Sequence, residues 1–204
     1  MILVIDYGMS NLGSIRRALE ECGGDVLVSD DPSDLKNAER IILPGVGSYV
    51  DGMSNLKQRG WISELNREVL ENKIPLLGIC LGMQLLSTKG YEHGETDGLN
   101  YISGEVIKLA PTDLNERIPH VGWNEVYKKR DNSLFENLND GSDFYFVHSY
   151  HFRPDKTDCI LAITPYCGEF VSAVNKENIY GVQFHPEKSI PVGFQLLKNF
   201  IYRV

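Results

Sequence analysis

Short, wholly apolar runs alternate with longer amphipathic stretches through the first half of the chain. No other feature restricts the fold as strongly. Ile2–Ile5, Val26–Val28, Arg40–Leu43 and Pro75–Ile79 read as strands. Between the first two, Leu12, Ile15, Ala18, Leu19 and Cys22 recur at helical spacing, with Asn11 placed to cap the helix and Gly23-Gly24 to stop it. Trp61–Leu70 reads as a second helix, and a third runs from about Gly82 to Ser87, directly after the fourth strand. Strands with no polar face, separated by helices, imply a mostly parallel sheet buried on both sides.

The second half changes rhythm. Val106–Leu109, Glu125–Tyr127, Phe144–Val147, Ile160–Ile163, Val171–Val174 and Ile179–Gln183 are short β-like runs joined by turn residues. They read as antiparallel strands and hairpins added to the same sheet, and a helix from Pro191 to Tyr202 closes the chain. No Pro/Gly/Ser-rich linker divides the halves, so residues 1–204 are expected to form a single α/β domain.

Bulk properties exclude some functions. With 20 basic and 28 acidic side chains, the net charge of -8 disfavours binding nucleic acid or an anionic membrane through the overall field. The basic triplet Lys128-Lys129-Arg130 reads as a solvated turn or a local partner contact. The four cysteines, Cys22, Cys80, Cys159 and Cys167, form no CxxC pair, which suggests free thiols in a reducing cytoplasm. Met1–Ile5 has no basic flank and Asp6 interrupts it, as in a first strand and not a signal peptide. No apolar stretch approaches the ~20 residues of a membrane span.

The strongest chemical signal is Gly78-Ile79-Cys80-Leu81-Gly82, entered by a buried strand and left by a helix. This is the pattern of a nucleophile elbow with cysteine at its apex. The turn is so tight that side chains at the flanking glycine positions would clash. The helix N-terminus favours the thiolate, the reactive form. Taken alone, the pentapeptide also fits a buried packing cysteine. A base is offered by Gly181-Val182-Gln183-Phe184-His185-Pro186-Glu187-Lys188-Ser189. His185 and Glu187, separated by Pro186, are expected on one side of an extended segment, so that Glu187 orients the imidazole that deprotonates Cys80. Leu43-Pro44-Gly45-Val46-Gly47-Ser48 is a glycine-rich turn after the third strand. It is either a plain strand-to-helix turn or, with the Leu81 N–H, a source of oxyanion donors around Val46 and Gly47. His148 and His151 lack acidic or cysteine neighbours at metal-site spacing, so neither metal nor cofactor is expected. Trp123 reads equally as core or as an interface aromatic.

Taken together, IDYGMSNLGSI, LPGVGS, GICLGMQLL, PHVGWNEV, FYFVHSYHF and GVQFHPEKS resemble the triad glutamine amidotransferases along nearly the whole chain. Within them they are similar to the glutaminase subunits of imidazole glycerol phosphate synthases. Relatives serving anthranilate or carbamoyl phosphate synthesis usually carry His where Met83 stands. The resemblance implies a flavodoxin-like class I amidotransferase fold and a Cys80–His185–Glu187 triad. It implies glutamine contacts from Gln84, from Gly45 and the rest of the Pro44–Gly47 strand, and from His148, Ser149 and Tyr150. Trp123, Tyr145 and Lys188 would meet a (β/α)8-barrel cyclase, the subunit that uses the ammonia to make imidazole glycerol phosphate and AICAR in histidine biosynthesis. In such enzymes a change in the PGVG strand completes the oxyanion hole once the cyclase binds its ligand. The chain departs from the pattern at Ser10, near Gly13 and through Leu85–Thr96. Those departures leave open a paralogue that feeds a surface-polysaccharide sugar amidation. A stand-alone γ-glutamyl hydrolase and an inactive scaffold are the remaining alternatives.

Overall fold

A computed structural model describes Met1–Val204. In β1 (Ile2–Ile5) every residue is buried, and alternate side chains enter different cores. Ile2 and Val4 pack on one face of the sheet, Leu3 and Ile5 on the other. The two cores contain 28 and 26 buried residues, so neither face is left to solvent and the central strands must be apolar throughout.

Helix α1 (Leu12–Glu21) follows, burying Ile15, Ala18 and Leu19. Asn11 stands at its N-cap without donating or accepting a side-chain cap bond, so the expected cap is positional only. Strands β2 (Val26–Ser29), β3 (Arg40–Leu43) and β4 (Leu76–Ile79) pair in parallel in the order β2-β1-β3-β4. Helix α2 (Tyr49–Gln58) was not apparent from the pattern of apolar residues; Ser48 caps it, accepting the Asp51 N–H. The expected Trp61–Leu70 helix divides into α3 (Trp61–Leu65) and a wider π-helical segment over Asn66–Glu71. Helix α4 (Leu81–Leu85) begins one residue after Cys80.

Beyond this point the chain departs from a single sheet. Short strands β5 (Lys89–Gly90) and β6 (Thr96–Asp97) join β7 (Gly104–Lys108) and β10 (Tyr150–Pro154) in a separate four-stranded sheet, order β10-β7-β5-β6. The Val106–Leu109 run therefore does not extend the main sheet as expected. The main sheet is completed by β8 (His120–Lys128), β9 (Ser142–His148), β11 (Ile160–Thr164), β12 (Phe170–Lys176) and β13 (Ile179–Val182). Its order is β2-β1-β3-β4-β13-β12-β11-β8-β9. Strand β13 is parallel to β4 and antiparallel to β12, and there the sheet changes from parallel to antiparallel. Helix α5 (Val192–Tyr202) lies with α1 on one face, while α2, α3 and α4 cover the other. No helix is long and apolar enough to cross a membrane.

Candidate active site

Three neighbouring strands, β3, β4 and β13, end at the same edge of the sheet. The carboxyl ends of parallel strands are where open α/β sheets place their ligands. Leu43 pairs with Gly78, and Val182 with Ile79. The Pro44–Gly47 segment, Cys80 and the Gln183–Glu187 segment therefore emerge side by side.

Cys80 has φ +53° and ψ −108°, a conformation strained for a residue with a side chain. Its N–H is tied to the Val182 carbonyl at 2.8 Å. The flanking glycines are required sterically. A Cβ on Gly82 would run into the Leu43 carbonyl oxygen, and one on Gly78 would sit 2.7 Å from Gly82. The clash expected from the GxCxG spacing is thus present on both sides of the apex.

His185 is buried, and its Nδ1 lies 2.8 Å from Glu187 Oε1. The route differs from the extended segment expected. His185 itself is extended, but Pro186–Lys188 forms a 3-10 turn that folds Glu187 back onto the imidazole. Ser189, fully buried, ties this turn in place: its hydroxyl donates to the His185 carbonyl at 2.7 Å and accepts the Tyr145 N–H at 3.0 Å. Burial opposes a charge on His185. The Cys80 sulfur and the Glu187 carboxylate outweigh it and raise the His185 pKa well above the usual imidazole range. His185 Nε2 and Glu187 Oε2 are buried without hydrogen-bond partners.

Val46, Gly47, Cys80, Leu81, Gln84, Glu92, Val147, His148, Ser149 and Tyr150 line a cavity of ≈ 230 Å³ beside the sulfur. The chain passes from one sheet to the other at Ser149, between β9 and β10, and this crossing makes one wall. His148 forms part of that wall with both ring nitrogens committed, one to the Tyr150 carbonyl at 2.9 Å and one to His120 at 3.1 Å. Burial lowers its pKa to about 3 and that of His120 to about 4, so both rings are neutral. Glu92 was not apparent from sequence: it lies in an irregular turn, and its carboxylate accepts the Tyr49 N–H at 2.7 Å.

Two of the three expected oxyanion donors are engaged elsewhere. Leu81 N–H donates to the Gly45 carbonyl at 3.2 Å, and Val46 N–H donates to the Met9 carbonyl at 2.6 Å. The Gly45 C=O and the Val46 N–H belong to one peptide unit, so a single peptide is pinned at both ends. Ser10 adds a hydroxyl donation to the Pro44 carbonyl at 3.3 Å.

Trp123, Tyr145 and Lys188 form one patch. The Trp123 and Tyr145 rings lie 6.1 Å apart edge to face, and Lys188 Nζ stands 5.4 Å from the Tyr145 ring. Trp123 is 55% and Val121 56% exposed, which decides between core and surface for this strand. The Tyr145 carbonyl accepts the His185 N–H at 2.9 Å, so the patch abuts the site.

Comparison with known proteins identifies the family. The profile of the family "Glutamine amidotransferase class-I" matches residues 3–204. Imidazole glycerol phosphate synthase subunit HisH 2 of Methanococcus maripaludis is 49% identical, with 98% of each chain covered. Subunit HisH 1 of the same organism is 45% identical, again with 98% of each covered. The HisH subunit of Moorella thermoacetica is 46% identical, with 98% of this chain and 93% of that one covered. Among solved structures, a glutamine amidotransferase superposes with a TM-score of 0.76 at 18% identity, covering 98% and 97% of the two chains. PurLQS from Thermotoga maritima gives 0.74 at 19% identity, covering 98% and 96%. At such identities these two structures speak for the fold alone. The relatives and the family profile speak for more: the chain belongs to the class-I glutamine amidotransferases, as an enzyme of their HisH glutaminase branch.

Proposed function

We propose that the chain is the glutaminase half of an imidazole glycerol phosphate synthase. It hydrolyses L-glutamine to L-glutamate and passes the ammonia to a (β/α)8-barrel cyclase docked as a heterodimer. The observation that carries the chemistry is the emergence of a strained Cys80 and a Glu187-held His185 from the ends of adjacent parallel strands.

His185 Nε2 takes the Cys80 proton, and the thiolate attacks the side-chain amide carbon of glutamine. The carbonyl electrons move to oxygen, forming a tetrahedral oxyanion. On collapse the C–N bond breaks, and the imidazolium returns its proton to the departing nitrogen as ammonia. Water, deprotonated by His185, then attacks the γ-glutamyl thioester, and glutamate leaves as the Cys80 sulfur is regenerated. The raised pKa of His185 suits the ion pair that opens the cycle. The Glu92 carboxylate is suited to the α-ammonium of glutamine, and Gln84, Ser149 and Tyr150 to its other polar groups. Oxyanion stabilisation requires that the Gly45–Val46 peptide turn over, which frees Leu81 N–H and Val46 N–H together. The Trp123–Tyr145–Lys188 patch, joined to His185 through the Tyr145 carbonyl, suits a partner whose docking drives that turn.

The test is glutamate release by the purified chain, alone and with a histidine-pathway cyclase and its nucleotide ligand. A low rate that rises by orders of magnitude supports the proposal. A rate that stays low moves the acceptor elsewhere. Cys80→Ala should reduce turnover by at least about 10⁴-fold, as loss of a catalytic nucleophile does elsewhere. Undiminished turnover in that variant would overturn the triad assignment. A second reading keeps the chemistry and changes the acceptor to a sugar-amidation enzyme. Its support is that one organism, Methanococcus maripaludis, carries two numbered relatives of this chain.

A further inference from the structure

Gln183 is fully buried and has no part in the mechanism above, yet its amide nitrogen lies 3.7 Å from Cys80 Sγ. Its neighbours fix which end of the amide faces the sulfur. The main-chain carbonyl of Tyr150 can only accept. Gln84 meets it at 2.8 Å, so the contacting atom of Gln84 is its nitrogen. That same nitrogen lies 3.0 Å from Gln183, whose contacting atom must accept and is therefore Oε1. Nε2 of Gln183 is left pointing at the sulfur.

The Tyr150 carbonyl is itself held by a second donor, His148 Nδ1–H, at 2.9 Å. The tautomers behind it follow one rule. His148 Nε2 must accept from His120 Nδ1–H, and His120 Nε2 must accept from the Asn124 amide at 3.3 Å. Asn124 is oriented independently: its Oδ1 accepts the Glu125 N–H at 2.9 Å, and its Nδ2 donates to the Pro165 carbonyl at 3.3 Å. Every member of the network has one consistent polarity, so the Gln183 donor cannot reverse without leaving a buried group unpaired.

We propose that Gln183 is a further catalytic residue, whose Nε2–H donates to the Cys80 thiolate and stabilises it before attack and again as the thioester leaving group. A neutral thiol is a weak acceptor and a thiolate a strong one, so the bond favours the anion selectively. No proton leaves Gln183. The sulfur anion then has an imidazolium as its counterion and a buried amide as its hydrogen-bond donor. This rests on Cys80 being the nucleophile.

The test is the pH dependence of Cys80 alkylation by iodoacetamide in the full chain, read at that cysteine by peptide mass. Gln183→Met keeps the length and apolar bulk and removes the donor. Alkylation at neutral pH should slow about tenfold, with the midpoint of the profile moved to higher pH, as expected for one hydrogen bond to a charged group. In glutamate release with the activating partner, kcat should fall with KM unchanged, because Gln183 does not line the cavity. A folded Gln183→Met protein with the wild-type alkylation profile overturns the proposal, since a packing role alone would leave the profile in place. If Gln183→Met does not fold, Gln84→Met takes its place. It frees the Gln183 amide to rotate and should move the midpoint the same way, and an unmoved midpoint there overturns the proposal equally. Alkylation needs no glutamine. A chain that shows the shift but never releases glutamate would fail the proposed function and the catalytic role with it, and leave only the Gln183 hydrogen bond to the Cys80 thiolate standing.

Discussion

Cys80 holds a backbone conformation that costs free energy, and two glycines permit it. Gly82 has no room for even one carbon, because the Leu43 carbonyl occupies that space. Gly82→Ala should therefore push α4 away from β3 and destabilise the chain by several kcal/mol, on the order of a severe core overpacking. Chemical denaturation would measure it, and a loss below about 1 kcal/mol would show that the elbow relaxes easily. Local residues of this kind were legible in the sequence. The proposed nucleophile, base and orienting acid each sit in a short motif whose spacing carries its own steric logic. Gln183 and Glu92 were not legible in the same way. Gln183 lies inside a recognised motif but acquires its role only from Gln84 and Cys80, far away in the chain. Glu92 sits in a turn with no periodicity and reaches the cavity through α2.

At the scale of elements, the apolar strands were read almost to the residue, because burial on both faces leaves no polar position to blur their ends. Arg40–Leu43 is the clearest case. Helix α2 escaped because Gly52, Ser54 and Asn55 interrupt it with poor helix formers. Gly52 is there for packing, since a Cβ would lie 3.2 Å from the Leu85 methyls of α4. Strand β10 escaped because it is half-exposed and follows β9 after one residue, so nothing local marks the switch of sheet. The 3-10 turn after His185 was masked by Pro186, which fits extended chain and turn alike. That turn hangs on Ser189, which joins it to β9. Ser189→Ala should cost about 1–3 kcal/mol, because the Tyr145 N–H loses its partner and the His185 carbonyl keeps only the Lys188 N–H. It should also lower glutaminase turnover by loosening Glu187. A variant as stable and as active as the parent would mean that α5 alone holds the turn.

Taken whole, the molecule holds three histidines in neutral form, two buried and His151 half-buried. His120, His148 and His151 are all driven down by burial, to about 4, about 3 and about 4. In the unfolded chain each titrates near 6.5. Between about pH 6.5 and 5 the unfolded state therefore binds more protons than the native state, and stability falls as pH falls. The slope is up to about 1.4 kcal/mol per pH unit for each histidine. His185 has the opposite sign. Its raised value adds stability that is fully present below about 6.5 and is lost as pH rises through the folded-state value, so it gives no slope in the acid window. Denaturation midpoints measured at pH 7 and pH 5 should drop clearly, and equal midpoints would contradict the neutral assignment. The layered α/β class and the parallel-to-antiparallel change were foreseeable from the two rhythms of the sequence. The second sheet was not, because its strands β5 and β6 are two residues each and exist only through pairing, β5 with β7 and β6 with β5.

The Gly45–Val46 peptide has one more consequence. Its two hydrogen bonds are made by opposite sides of the same rigid plane, so a turn of that peptide breaks both at once. Such a clasp has a threshold and no intermediate setting. With about 0.5–1.5 kcal/mol in each bond, thermal opening leaves the productive arrangement a minority of molecules. On the mechanism proposed above, the chain alone is expected to idle, so that nitrogen is not squandered when no recipient is in place. A partner need supply only a few kcal/mol of differential docking energy to reverse that balance, well within what one exposed tryptophan and its neighbours can contribute at an interface.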